Sequence, residues 1–205
     1  MITFNEWVNR YLNTAIDYDG SSGAQCVDLC KCYLKEVHNV PQFSIGGSAR
    51  NYWTRTFKQL AKFEKIENTK TFVPKKGDIA VWDSSKGGGH GHVAICTGEG
   101  DTKHFYSYDM NWNGKAMKKV KHDYSGFYGV LRPKDRSMLE TEEYFKACNK
   151  NHTSLVDALR SVGAKSDLTY RKVVAKENGI SGYIGTAKQN TAMLKLLKDG
   201  KLIKP

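Results

Sequence analysis

The chain has 205 residues, 40% hydrophobic and 26% charged, with only four prolines. That composition excludes a disordered chain and suffices for one medium domain plus a small one. No run of about 18 apolar residues exists, so no membrane insertion is expected. The net charge of +11 favours a polyanionic partner.

The opening segment, Met1-Ile-Thr-Phe-Asn-Glu-Trp-Val, lacks the basic and apolar regions of a secretory signal. Residues 3–14 instead predict an amphipathic helix, with Phe4, Trp7, Val8, Tyr11 and Leu12 on one face. Thr3 and Glu6 have the spacing of a capping box. A Gly- and Asp-rich loop covers 17–25. A second helix, from about 25 to 38, buries Leu29, Cys30, Tyr33, Leu34 and Val37. A third, Asn51 to Leu60, turns Tyr52, Trp53 and Phe57 inward.

Beyond this point the apolar period changes to two. Strands are expected at Lys76–Asp83, Gly91–Thr97, Lys103–Asp109 and Phe127–Arg132, separated by Gly/Asp/Ser turns. Short strands of this kind predict an antiparallel sheet. Helices first and strands second define an α+β layout.

Pro133 to about Asn151 reads as a charged connector, with a helix from Met138 to Cys148. Three short helices follow at Leu155–Val162, Thr169–Asn178 and Thr186–Lys198. Gly163, Gly179 and Gly200 stand where helix ends favour glycine. Leu155, Leu159, Val173, Val174, Tyr183, Met193 and Leu197 belong to its expected miniature core. Residues 151–205 carry ten Lys or Arg against four Asp or Glu, a net of +6. The expected domains are 1–135, a linker at 136–151, and a basic helical module at 152–205. Such a module is near the lower size limit for folding alone, and self-association is one way it gains core area.

Five cysteines form an odd set without zinc-type pair spacing. Four read as buried free thiols of a reducing compartment. Cys26 differs, because it stands where the loop meets the second helix. The unpaired N–H groups and the dipole of a helix start favour a thiolate there. His92, at the start of a strand, is the candidate base, in preference to His90. Asp109 and Asn111 come one strand later and are candidates to hold the second imidazole nitrogen. Which of the two does so stays open at this stage. The Gln25 side chain and the Cys26 backbone N–H are candidate oxyanion donors. In the 17–28 loop, Asp17, Asp19, Ser21, Gly23 and Asp28 fall at positions 1, 3, 5, 7 and 12 of an EF-hand-like spacing, which suits Ca²⁺. Ser22 and Asp28 depart from the Gly and Glu that an EF-hand carries at positions 6 and 12.

Gly23-Ala-Gln-Cys26-Val-Asp-Leu, Pro74-Lys-Lys-Gly-Asp-Ile-Ala-Val-Trp82, Gly91-His-Val-Ala-Ile95 and Asp109-Met-Asn-Trp-Asn113 occur in that order. Together they resemble the CHAP family of cysteine amidohydrolases and peptidases, over roughly residues 1–135. The resemblance implies a papain-like α+β domain that cuts peptidoglycan. It implies Cys26 as nucleophile, His92 as base, and Asp109 or Asn111 as its partner. Some CHAP domains are similar in carrying Ca²⁺ in the loop before the nucleophile, so a structural or activating Ca²⁺ is expected.

Tyr170–Ile180 and Tyr183–Leu194 resemble the small helical cell-wall-binding domain of some phage endolysins and bacterial autolysins. The expected protein is an endolysin, made in the host cytoplasm without a signal peptide and acting on the wall after release. Its expected partners are peptidoglycan and the anionic wall polymers of a Gram-positive host. Nucleic acid is not expected, since no reading motif is present. Met138 offers an internal start that would yield extra copies of the helical module. Two other classes fit the residues less well: a cysteine protease acting on proteins, and a non-catalytic wall- or polyanion-binding protein.

Overall fold

Thr3 closes the start of the first helix, α1 (Phe4–Tyr11). The Glu6 N–H donates to Thr3 Oγ1 at 3.1 Å, and Glu6 Oε2 accepts from the Thr3 N–H at 2.8 Å. A cap of this kind stabilises a helix by about 1 kcal/mol. Phe4, Trp7 and Val8 are buried, one turn apart, as the 3.6-residue period requires. This arrangement comes from a computed structural model, which describes residues 1–139 and 144–205.

The second helix, α2 (Cys26–Glu36), buries Leu29, Cys30, Cys32, Tyr33 and Leu34. Tyr33 sits in the core and donates its hydroxyl to the Gly77 carbonyl at 2.9 Å, so its one polar atom is satisfied. A short helix, α3 (Asn51–Thr54), follows. The third predicted helix is therefore one turn long and does not reach Leu60. Arg55 and Phe57 are extended, and the Lys65 ammonium donates to the Trp53 and Arg55 carbonyls. Phe57 packs on Phe43 at 5.1 Å between ring centres.

Six strands form one sheet: β1 (Phe63–Glu67), β2 (Ile79–Trp82), β3 (His92–Gly100), β4 (Phe105–Asp109), β5 (Lys118–His122) and β6 (Phe127–Pro133). Their order is β1-β6-β2-β3-β4-β5, and every neighbouring pair is antiparallel. The α+β expectation holds. The predicted strands occur with shifted ends, and β1 and β5 are additions.

All four residues of β2 are buried, because both faces of the sheet are covered. Ile79 and Val81 join Val93, Ile95 and Leu131 in the core under the helices. Ala80 and Trp82 face the other way, with Ala94, Phe105, Phe127 and Val130. Gly91 is required where β3 begins. Its φ is +75°, and a Cβ there would lie 2.6 Å from the Trp82 carbonyl and 2.8 Å from Arg50 Cβ. No larger residue lets the chain pass Trp82 so closely.

Two compact units emerge, Met1–Thr141 and Glu142–Pro205. The second contains α4 (Leu155–Ser161), α5 (Leu168–Glu177) and α6 (Ala187–Lys198). Ser154, Asp167 and Thr186 cap them through side-chain oxygens. Leu155, Leu159, Val174, Tyr183, Met193 and Leu197 are buried as expected, whereas Val173 is 44% exposed. Arg171 donates to Tyr183 Oη at 2.9 Å and to Asn190 Oδ1 at 3.1 Å, tying α5 to α6.

The stretch read as a connector contributes to both cores. Leu139 is buried in the first, and Phe145 and Cys148 in the second. The expected helix from Met138 to Cys148 is not present in its described parts. Tyr144 instead forms a bridge with Ile203, and 145–149 has no regular secondary structure. Residues 140–143 lie outside the described residues.

Asp78, fully buried at the start of β2, accepts a two-pronged pair from Arg132 on β6, at 2.9 and 2.6 Å. Its Oδ2 also accepts the Lys75 N–H at 2.8 Å. Arg136 Nη1 also approaches Asp78 Oδ1, at 3.9 Å, but loss of the two-pronged partner of a buried carboxylate still costs about 3–5 kcal/mol. Arg132→Ala is therefore expected to lower the unfolding free energy by about that amount, read from the midpoint of a urea transition at unchanged slope.

Candidate active site

Cys26 is the first residue of α2, and Gln25 before it is extended (φ −123°, ψ 160°). The loop thus delivers the thiol directly to the helix N-terminus. Asp28 holds the turn, with its Oδ2 accepting the Gln25 N–H at 2.9 Å. Of the five free thiols only Cys26 is partly exposed. Burial pushes the Cys32 thiol up to about 11, and Cys30 and Cys96 further. Those thiols are unreactive at neutral pH.

Cys26 lines a cleft of about 380 Å³ together with Gln25, His92, Asn111, His90 and Lys31. His92 is the first residue of β3 and is 2% exposed. Its Nε2 lies 2.8 Å from Asp109 Oδ2, at the end of β4. With Nε2 so engaged, Nδ1 is the nitrogen left for the thiol. Burial alone would depress the His92 pKa. The hydrogen bonds to Asp109 and Cys26, and their charges, outweigh it and raise the value to about 9. Near neutral pH the ring is therefore an imidazolium beside sulfur. Trp112 at 4.7 Å and Trp82 at 5.4 Å pack against it with their planes tilted by 58°, restricting rotation of the ring.

Asp109 is 1% exposed. Burial pushes its carboxyl upward, but hydrogen bonds from His122 and His92 outweigh this and hold it below the usual range. It accepts from His92 Nε2, from His122 Nε2 at 3.1 Å to either oxygen, and from Ser107 Oγ at 2.5 Å. Of the two candidates for holding His92, the geometry joins Asp109 to it. Asn111 has a different contact: its Nδ2 donates to Gln25 Oε1 at 2.6 Å. Gln25 Nε2 in turn donates to the Ser22 carbonyl at 2.9 Å, leaving one of its two hydrogens for the cleft. His90 stands on the cleft rim, with Nδ1 3.1 Å from Ser48 Oγ.

In the 17–28 loop the carboxylates of Asp17, Asp19 and Asp28 lie within 4.8 Å of one another. Ser21 engages Asp19 only through its backbone N–H, at 3.0 Å, and Gly23 turns the chain with φ +67°. Lys31 pairs with Asp19 Oδ2. Asp28 Oδ1 is buried and has no hydrogen-bond partner. Burial raises the Asp28 pKa, and the Asp19 charge adds to this, although the Lys31 ammonium works the other way. Three clustered carboxylates with an unpaired buried oxygen are a donor set that fits a hard cation.

His122 and Trp112 adjoin the candidate site, and the sequence reading gave neither a role. The available signal was alternation in Lys118-Lys-Val-Lys-His122, where only Val120 and His122 interrupt the lysines.

Residues 16–111 match the CHAP domain family, and this segment is a CHAP domain. It is homologous to those of staphylococcal phage endolysins. The chain is 32% identical over 136 residues to endolysin PlyTW of Staphylococcus phage Twort, covering 62% of this chain and 28% of that protein. It is 31% identical over 142 residues to a D-alanyl-L-alanine endopeptidase of Streptococcus phage B30, covering 65% of this chain and 31% of that protein. The chain thus matches under a third of the length of these relatives. Among solved structures, the endolysin LysIME-EF1 superposes with a TM-score of 0.56 at 27% identity, covering 67% of each chain.

The His92 ring should titrate with a midpoint near pH 9 in an NMR titration. Asp109→Asn removes the charge that favours the imidazolium and should lower that midpoint by roughly one to three units.

Proposed function

We propose that this chain is a peptidoglycan hydrolase of the endolysin type, cleaving an amide bond in the peptide part of a Gram-positive cell wall. The observation that carries this reading is one cleft holding a helix-start thiol and an imidazole backed by a buried carboxylate. The homologues' names supply the substrate class.

In this reading the Cys26 thiolate attacks the amide carbonyl carbon, and the C–N bond breaks after a tetrahedral intermediate. The Cys26 N–H, at the open end of α2, and the remaining Gln25 amide hydrogen are the donors for the oxyanion. The His92 imidazolium gives its proton to the leaving amine. The neutral ring then takes a proton from water, which hydrolyses the thioester. Asp109 keeps the proton on Nε2, so that Nδ1 faces the sulfur throughout. Asn111 holds Gln25 in place and does not orient the base.

Asp17, Asp19 and Asp28 are the residues that would hold Ca²⁺. Bound there, the ion would supply positive charge to the buried Asp28 oxygen and stiffen the loop. Asp28 already holds the Gln25 backbone, so order in this cluster reaches Cys26 through one residue. The basic helical unit at the C-terminus is read as binding anionic wall polymers, consistent with its +6 charge. Association of chains through that unit belongs to the same reading. No helix among the described residues is long and apolar enough to cross a membrane.

Cys26→Ala should abolish turbidity loss of purified Gram-positive walls, by at least about 10³-fold, while pelleting with the walls is unchanged. Lysis at the wild-type rate would sink the thiol mechanism. Casein cleavage without wall lysis would favour a protein protease. For the metal, chelation should lower the lytic rate and the melting temperature together, and Ca²⁺ but not Mg²⁺ should restore both. Full activity after chelation with Mg²⁺ alone would refute the calcium loop.

A further inference from the structure

The carboxylate behind His92 serves a second imidazole. His122, the last residue of β5, places Nε2 3.1 Å from each oxygen of Asp109. His122 is 5% exposed and is walled by Trp82 at 4.8 Å, Trp112 at 4.8 Å and Phe105 at 5.6 Å between ring centres. The polar groups near this pocket are few. Asp109 and Ser107 come from β4, His92 from β3, and β3 also contributes the Cys96 thiol, which burial keeps protonated. From β2 the neighbour is an indole.

We propose that His122 is a positioning residue for the hydrolytic reaction. Its Nε2–H spans both carboxylate oxygens, which fixes rotation about the Asp109 side chain and keeps the group ionised in its dry surroundings. This inference rests on the Cys26–His92 reading above and adds a claim of its own about what sustains the base.

A carboxylate removed from water prefers to be neutral unless donors replace the lost hydration. The hydroxyl of Ser107 serves Oδ1 alone, and His92 serves Oδ2 alone. Only His122 reaches both. Without it the carboxyl would take up a proton at a higher pH. A neutral Asp109 no longer favours an imidazolium and no longer holds the proton on His92 Nε2. The chemistry would then fail first on the acid side, while the intrinsic role of the thiol stayed intact.

Two variants separate this role from simple packing. His122→Phe keeps a ring among the indoles but removes the donor, and His122→Gln retains an N–H donor. In the pH profile of wall lysis, the acid limb of His122→Phe should move up by roughly one unit. His122→Gln should return it at least halfway. An unshifted acid limb in His122→Phe, or a loss of equal size at every pH, would overturn the proposal.

Imidazole ¹⁵N NMR of the unmodified protein tests the same claim if His122→Phe does not fold. His122 should carry its proton on Nε2 throughout the neutral range. A bare Nε2 with the proton on Nδ1 refutes the bond to Asp109. Cys26→Ala in the same lysis assay keeps the two claims apart, since wild-type lysis by that variant sinks the thiol reading and leaves the NMR result standing.

Discussion

A negative charge buried from water is the constraint around which this fold closes. Asp109 is 1% exposed, yet the chemistry proposed for Cys26 and His92 needs it ionised. An uncompensated carboxylate in such a place costs several kcal/mol. The chain meets that cost by bringing three donors from three strands, β3, β4 and β5, to one side chain. The aromatic layer of Trp82, Phe105 and Phe127 then excludes water from that face of the sheet. Adjacent register between β3, β4 and β5 is thus needed by the proposed base, His92, and not only by the sheet.

The proposed nucleophile, Cys26, depends on a different set of contacts. α2 rests on the opposite core through Leu29, Tyr33 and Leu34, and Tyr33 reaches Gly77 ahead of β2. Anchoring the helix axis in this way fixes where its first residue lies. The loop in front needs residues that tolerate left-handed backbone, and Gly20, Ser22 and Gly23 take φ near +67 to +69° or close to it (+66° at Ser22). Ser22 pays a strain that glycine would not, and its carbonyl is the acceptor that holds the Gln25 amide.

Much of this was legible in the sequence because the deciding interactions are local. The Thr3–Glu6 cap, the periodic faces of α1, α2 and the C-terminal helices, and the placing of Cys26 at a helix start all follow from neighbours within four residues. The expectations that differ from the structure depend on distant partners. The Asn51–Leu60 helix stops after one turn, where Arg55 turns extended, and the carbonyls of Trp53 and Arg55 find their donor in Lys65 on β1. β5 shows only Val120 and His122 as inward positions between lysines, too few to register as a strand. Asp109 and Asn111 were equally placed by order along the chain. Their different roles follow from backbone direction: Asp109 ends a strand facing the aromatic layer, whereas Asn111, at φ +58°, turns outward to Gln25. The 17–28 spacing pointed to five ligands, and the fold gathers the three carboxylates among them.

The distribution of sulfur has a consequence for oxidative damage. Cys30 and Cys32 lie in the helix-side core, Cys96 in the aromatic core and Cys148 in the C-terminal core, while Cys26 alone meets solvent. An oxidant such as peroxide therefore reaches one thiol first. The next cysteine along α2, Cys30, is enclosed and is no resolving thiol, so a sulfenic acid at Cys26 has no partner in the chain with which to close a disulfide. Oxidation would progress at that atom while every core stayed intact, giving a protein that remains folded after the proposed nucleophile is spent.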